Sequence, residues 1–143
     1  MHMSKNCHHN ASVACEVIAF SKIEDDRGHL SVLEGSEQIP FDVNRVFFVA
    51  NPQSSRGNHA HKSLWELLIP ISGSLDVLVD DGFSQKKFQL KAGTEGLLIP
   101  PLNWTQQTNF SRDCIYLVLA SQKYSEGDYL RNYSEFLEIK RAA

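Results

Sequence analysis

Two histidines one residue apart carry the densest chemical signal in this chain of 143 residues. His59 and His61 lie in the segment RGNHAHK at residues 56–62. In an extended strand their side chains point to the same face, about 6.6 Å apart along the chain. A neutral imidazole can ligate a metal, and with a pKa of about 6.5 it can also accept and return a proton at neutral pH. The pair therefore predicts proton transfer or a metal site, with two surface histidines on a polar loop as the alternative.

Two charged residues near the histidine pair indicate what the site could bind. Arg56 carries a planar donor fork that suits a phosphate or a carboxylate. Glu66 either orients an imidazole through a hydrogen bond or is an ordinary carboxylate at a strand end. Because no histidine follows His61 in the sequence, a tight transition-metal site would have only two imidazoles and Glu66 as ligands. We expect no metal and no other cofactor.

The elements that position these residues are predicted to be mostly strands. Short runs of Val, Ile, Leu and Phe alternate with turn residues, which is typical of an all-β sandwich or barrel. Helical spacing is confined to Tyr129–Lys140, where Asp128 is a candidate cap and the aromatic stripe is expected to pack in the core. Strands are predicted at Cys15–Phe20, His29–Glu34, Arg45–Ala50, Glu66–Ile71, Ser74–Asp80, Gln85–Leu90, Gly96–Pro100, Thr105–Phe110 and Cys114–Ala120.

Composition limits the classes of function. The length and the 42% of apolar residues predict one folded domain at residues 13–143, preceded by a flexible tail at residues 1–12. A formal charge of −3 argues against binding to nucleic acid, and no apolar run is long enough to span a membrane. Cys15 and Cys114 are expected to pack in the core. With so few cysteines and no secretory signal, a cytoplasmic location is the expectation.

The spacing around the histidines resembles a known motif. His59, His61, Glu66 and Gly73 are spaced as in the first motif of the cupins. Cupins are double-stranded β-helix, or jelly-roll, barrels with the site inside the mouth. The resemblance therefore implies this barrel with a short C-terminal helix, which agrees with the independent prediction of many strands.

A narrower resemblance covers nearly the whole chain, from about residue 20 to residue 139. The segments DRG at 26–28, RGNHAHK at 56–62, DDG at 80–82, PLNW at 101–104, LAS at 119–121 and YSEGDYLR at 124–131 are similar to those of the WxcM-like sugar-nucleotide 3,4-ketoisomerases. This resemblance implies conversion of dTDP-4-keto-6-deoxyglucose to a dTDP-3-keto-6-deoxyhexose by histidine-mediated proton transfer through an enediol. It also implies a homodimer, with the strand Cys15–Phe20 as a candidate for exchange between subunits.

The resemblance also implies roles for single residues. His61 would exchange the carbon-bound proton, and His59 would handle the oxygens at C3 and C4. Arg56 would hold the pyrophosphate or a sugar oxygen. The remaining candidates for substrate binding are Asn58, Glu66 and Trp104, which forms a wall of the site or packs in the core.

Three positions depart from the family pattern. Thr105 stands where members commonly carry a histidine, and Phe47 and Phe48 stand where relatives often have tyrosines. Tyr116 is a candidate to supply the missing phenol. Other functions on the same barrel are a sugar-nucleotide 3,5-epimerase, a metal-dependent dioxygenase or isomerase, and a non-catalytic cupin that binds a nucleotide sugar.

Overall fold

Residues 14–143 are described by a computed structural model, and the predicted tail at residues 1–12 lies outside them. A run of short strands is followed by one turn of 3-10 helix at Glu126–Asp128 and by an α-helix. The strands are β1 Glu16–Ala19, β2 Ser21–Asp25, β3 Gly28–Val32, β4 Arg45–Ala50, β5 Arg56–His61, β6 Glu66–Ser72, β7 Ser74–Asp80, β8 Gln85–Lys91, β9 Glu95–Ile99, β10 Trp104–Thr108, β11 Ile115–Ala120 and β12 Tyr129–Leu130, and the helix α1 is Tyr133–Ala142.

Two five-stranded sheets form the body of the domain. Sheet I has the strand order β1-β9-β6-β11-β4, and sheet II has the order β12-β5-β10-β7-β8. The two sheets face each other across a core that includes Leu68 and Val118 from sheet I and Val77 and Val79 from sheet II. The prediction of an all-β barrel with a short C-terminal helix is confirmed.

Strand β5 carries both histidines and is absent from the strands predicted from apolar residues. Its sequence, RGNHAH, has almost no apolar side chains that could reveal a strand. It is held between β10 and β12, where Thr105 is paired with His59. Gly57 has a φ of +87°, and a Cβ on it would lie 2.9 Å from the carbonyl oxygen of Thr105 and from the side chain of Gln107. Only glycine lets β5 approach β10 this closely.

The C-terminal helix begins four residues later than predicted. Asn132 caps it by accepting a hydrogen bond from the backbone N–H of Glu135 at 3.0 Å. Tyr129 and Leu130 instead form β12, which pairs with the end of β5. The prediction of Asp128 as the cap is therefore wrong, since helical spacing does not distinguish a helix from a short strand that precedes it. Phe136 is fully buried, as expected for the aromatic stripe.

Two further sequence predictions can be compared with the described residues. Cys15 and Cys114 are buried free thiols, and burial raises the pKa of Cys15 to about 12. No helix within residues 14–143 has the length and apolar character needed to cross a membrane. The cytoplasmic location stays a prediction.

Sheet I leaves apolar side chains exposed at its β4 edge. Strand β4 is bonded to β11 on one side only, and the exposed fractions of Val46 and Phe48 are 56% and 69%. The hairpin of β2 and β3 belongs to neither sheet and exposes Ile23 and Leu30. Strand β1, by contrast, is paired with β9 of the same chain, with Glu16 opposite Leu98.

Candidate active site

A cavity of about 490 Å³ lies between the two sheets, next to the histidine pair. Its wall combines polar and charged residues from both sheets and the C-terminal segment with apolar residues that come from sheet I. The polar and charged lining residues are Arg45, Ser55, Arg56, His59, Glu66, Thr105, Gln107, Tyr116, Tyr129 and Arg131, and the others are Phe47, Val49, Gly57, Leu68, Ile99 and Val118.

The two imidazoles lie on the same face of β5, as the spacing predicted. Their ring centroids are 5.0 Å apart in an edge-on arrangement, and Tyr129 contacts both rings. His59 forms part of the cavity wall. His61 is only 5% exposed and lies behind that wall, with Nε2 at 3.7 Å from Oε1 of Glu66, a wall residue.

A buried carboxylate fixes the orientation of His61. Oδ2 of Asp128 lies 3.1 Å from Nδ1 of His61, and Oδ1 accepts hydrogen bonds from the backbone N–H and the hydroxyl of Ser63 at 2.9 and 2.7 Å. The N–H of Leu64 also donates to Oδ2, at 3.3 Å. Because an ionised carboxylate only accepts, Nδ1 carries the hydrogen and Nε2 keeps a free lone pair facing Glu66.

Burial keeps both imidazoles in the form that can act as a base. Desolvation, helped by the neighbouring His59, lowers the pKa of His61 to about 4, and the carboxylate of Asp128 opposes this shift. Desolvation also lowers the pKa of His59. Burial raises the pKa of Glu66 to about 7, against the influence of Arg45. At neutral pH the site therefore holds two neutral imidazoles and a carboxyl group that exchanges its proton readily.

Three arginines give the cavity wall an excess of positive charge. Arg131 is held over the ring of Tyr129, 4.2 Å from its centroid, by two hydrogen bonds to Glu126 at 2.6 and 3.0 Å. Arg45 lies over the ring of Phe47 at 4.8 Å. Arg56, the third, lowers the pKa of Tyr116 and so opposes the larger rise that burial causes there. Fixed guanidinium groups around a polar cavity suit an anion such as a pyrophosphate.

Of the residues predicted to bind substrate, two line the cavity and two do not. Arg56 and Glu66 are part of the wall. Trp104 faces away from it, because side chains alternate along β10 and Thr105 faces the cavity. The ring of Trp104 packs edge-on against that of Tyr133, with 5.3 Å between the centroids, and it contacts a buried hydrophobic cluster. This agrees with the alternative prediction that Trp104 packs in the core. Asn58 is exposed and is not among the lining residues.

Two of the three positions that depart from the family pattern line the cavity, and the third does not. Thr105, Phe47 and Tyr116 line the cavity, so the phenol of Tyr116 is within the site. Phe48 is not among them and is exposed at the β4 edge.

Sequence reasoning missed four residues of the site. Arg45 was predicted only as the start of a strand, and Asp128 as a helix cap and as a member of the motif that carried the resemblance. Tyr129 and Arg131 were part of the motif that carried the resemblance, but no role was assigned to them. The motif YSEGDYLR was the one feature of the sequence that could have pointed to Asp128, Tyr129 and Arg131. The residues around it do not show that this segment pairs with β5.

Comparison with known proteins matches the chain to one family model. The model described as "FdtA: WxcM-like, C-terminal" matches residues 13–141. Over 123 residues the chain is 40% identical to a TDP-4-oxo-6-deoxy-α-D-glucose-3,4-oxoisomerase of Aneurinibacillus thermoaerophilus, with 85% of this chain and 88% of that protein covered.

Solved structures agree with this match. A mutant of the 3,4-ketoisomerase QdtA from Thermoanaerobacterium thermosaccharolyticum, in complex with TDP-4-keto-6-deoxyglucose, has a TM-score of 0.86 and 35% identity, covering 90% of this chain and 94% of that one. The TDP-quinovose 3,4-ketoisomerase WlaRB of Campylobacter jejuni has a TM-score of 0.82 and 39% identity, covering 87% of this chain and 97% of that one. The rmlC epimerase of Mycobacterium tuberculosis has a TM-score of 0.73 and 16% identity, covering 85% of this chain and 70% of that one. At this identity it shows a shared fold alone.

Proposed function

Because the chain belongs to the WxcM-like family and is a sugar 3,4-ketoisomerase, we propose that it converts dTDP-4-keto-6-deoxyglucose to a dTDP-3-keto-6-deoxyhexose. The observation that carries this proposal is a pair of adjacent imidazoles, His59 in the wall of a cavity between two sheets and His61 directly behind it, oriented by a buried aspartate. The reaction changes no oxidation level in the molecule as a whole, so two proton carriers suffice in principle.

The proposed mechanism moves two protons. Nε2 of His61 takes the proton from C3, the electron pair forms the C3–C4 double bond, and O4 gains a proton from the imidazole of His59. The resulting enediol then loses the proton on O3 to His59, and C4 receives a proton from His61. Both imidazoles end as they began. Asp128 supports the first step because its carboxylate stabilises the imidazolium that forms on His61.

The wall residues have proposed binding roles. Arg56 binds the pyrophosphate or a sugar oxygen, with Arg45 and Arg131 close enough to share the charge. Glu66 lies beside Nε2 of His61 and orients it. Asn58 and Trp104 do not line the cavity in the single chain, and their roles as substrate contacts stay predictions.

Proton NMR of the product tests the function. After incubation with dTDP-4-keto-6-deoxyglucose in deuterated water, we expect a ketone at C3 and a new hydrogen at C4, which is deuterium wherever the imidazolium of His61 exchanges with solvent before it gives up its proton. Inversion at C3 and C5 with the ketone still at C4 would indicate a 3,5-epimerase instead. Binding of the nucleotide sugar without any new signal would indicate a non-catalytic cupin.

We also propose that the enzyme is a homodimer with N-terminal strands exchanged between subunits. In the single chain, the predicted exchange strand at Cys15–Phe20 pairs with β9 of its own chain, so exchange would place the same pairing across the dimer. The open edge of β4, with exposed Val46 and Phe48, supports the dimer, since exposed apolar edges invite pairing with another chain.

Replacing Phe48 by lysine should convert the dimer to a monomer, because a charged side chain would have to be buried at the contact. Size exclusion with light scattering measures the mass. Phe83→Lys is the matched control, because Phe83 is 70% exposed in the turn after β7 and lies away from β4. A wild-type enzyme that is a fully active monomer would contradict the proposal.

A further inference from the structure

We propose that a second cavity, on the outer face of sheet II, binds a nucleoside phosphate, with the base against Trp104 and Tyr133 and the phosphate at Lys87. This outer cavity has a volume of about 560 Å³, compared with about 490 Å³ for the catalytic cavity next to the histidine pair. None of the described residues that line it is a histidine. The outer cavity therefore lacks the proton carriers of the isomerase, and we assign it a binding role of its own.

A single strand separates the two cavities. On β10, Trp104 and Gln106 line the outer cavity, whereas Thr105 and Gln107 line the catalytic cavity. This division follows from the alternation of side chains along a strand. The proposed strand exchange and the open edge of β4 both belong to sheet I, so neither of them uses this face of sheet II.

The floor of the outer cavity spans three strands. Gln106 of β10 is opposite Leu78 of β7, and Leu78 is opposite Lys87 of β8. Two strand spacings, about 9.6 Å, therefore separate Gln106 from Lys87. Trp104 and Tyr133 form an aromatic wall, edge-on to each other with 5.3 Å between the ring centroids. A nucleoside phosphate fits this layout, because its flat base and its phosphate lie on opposite sides of the sugar.

A buried carboxylate holds two of the lining side chains in place. Asp80 is 8% exposed, and its Oδ2 accepts hydrogen bonds from the hydroxyl of Tyr133 and, at 3.3 Å, from the amide of Gln85. Its Oδ1 accepts from the backbone N–H of Gly82 at 2.7 Å. Because both oxygens are already bonded within the protein, Asp80 positions the cavity wall rather than facing a ligand.

The charges of the outer cavity favour an anion. Lys86 and Lys87 line it together with the single carboxylate of Asp80. Within residues 14–143 neither ammonium group forms an ion pair with a carboxylate, and Lys86 lies over the ring of Phe88 at 4.7 Å. Lys87 is exposed on the same face as the cavity floor. An unpaired ammonium group is a suitable partner for a phosphate.

The aromatic wall favours a nucleoside phosphate over a plain sugar phosphate. Every base has a π-face that stacks on aromatic side chains whatever its sequence of ring atoms, and a sugar has no such face. The amide of Gln106 can both donate to and accept from the edge of a base. The cavity thus combines a surface for the base, a polar group for its edge and cations for its phosphate.

The fluorescence of Trp104 tests this site directly. The chain has two tryptophans, and Trp65 packs against a different cluster on sheet I, so Trp65→Phe leaves Trp104 as the only indole. This parent is titrated separately with ADP, CDP, GDP and TDP, and we expect at least one of them to quench the fluorescence at saturation. Lys87→Glu should weaken that affinity by about tenfold or more, because reversing the charge replaces attraction by repulsion.

Lys91→Glu is the matched control, because Lys91 is exposed on the same face of β8, about 13 Å further along, and does not line the cavity. It should bind as the parent does, whereas the nucleoside without phosphate should bind at least about tenfold more weakly than the diphosphate. Calorimetry of the chain with both tryptophans should show the same loss in Lys87→Glu.

Three results would overturn the proposal. The first is the absence of quenching by any of the four diphosphates. The second is an equal affinity of Lys87→Glu and Lys91→Glu, which would place the quenching ligand in the catalytic cavity. The third is an equal affinity for the nucleoside and its diphosphate, which would remove the phosphate from the assigned ligand.

Discussion

Replacing His61 by asparagine is expected to lower the isomerisation rate by about 10²–10⁴-fold. The lone pair on Nε2 is the proposed acceptor of the proton from C3, and an asparagine amide cannot hold that proton. The amide NH₂ of asparagine can still donate a hydrogen bond to Asp128, so the fold should be kept. Product NMR measures the rate, and a thermal melt close to that of the parent confirms that the variant is folded.

Hydrogen exchange with the solvent separates the two imidazoles. When the 4-keto sugar is incubated in deuterated water, His61→Asn should stop exchange at C3, because the carbon acid is never deprotonated. His59→Asn should reduce product formation while some exchange at C3 persists, because its proposed task is to move the protons on oxygen. A folded His61→Asn enzyme that isomerises at the parent rate would rule out the proposed base.

Replacing Asp128 by asparagine is expected to lower the rate by on the order of 10²-fold or more, by presenting the wrong tautomer of His61. Oδ1 accepts two hydrogen bonds from Ser63, so the amide oxygen of the new side chain should stay there. The amide NH₂ would then face Nδ1 of His61. Nδ1 would have to accept, the ring proton would move to Nε2, and the lone pair that takes the proton from C3 would be lost.

The pH profile distinguishes this positioning role from a merely structural one. Asp128 holds the pKa of His61 above the value that burial alone would set, so its removal should move the acid limb of kcat/KM to lower pH. A loss of folded protein would reduce the rate without moving that limb. Ser63→Ala is the matched control, since it removes a donor from the same carboxylate but leaves the contact with His61. A near-parental rate in Asp128→Asn would contradict the assignment.

The histidine pair could be predicted from the sequence because its geometry is local. Side chains two residues apart in a strand share a face whatever the rest of the chain does, and the rings of His59 and His61 do lie together. Strand β7 was also predicted with its observed bounds, because apolar residues alternate between two clear turns. These features depend only on neighbours in sequence.

The rest of the site depends on contacts between distant segments. Asp128 and His61 are 67 residues apart, and no spacing rule connects them. On β10, alternation places Trp104 and Thr105 on opposite faces but does not say which face lines a cavity. In the single chain Thr105 lines the cavity and Trp104 does not, and the contact of Trp104 with substrate stays a prediction.

The position of Asp128 also sets the order in which the enzyme is completed during synthesis. The two imidazoles leave the ribosome 67 residues or more before the carboxylate that orients them. Turnover at the full rate therefore requires the segment that carries Asp128 to dock against β5, where Tyr129 and Leu130 pair with His61 and Ala60. Proteolytic loss of that segment would leave both histidines in place but remove the carboxylate that orients His61.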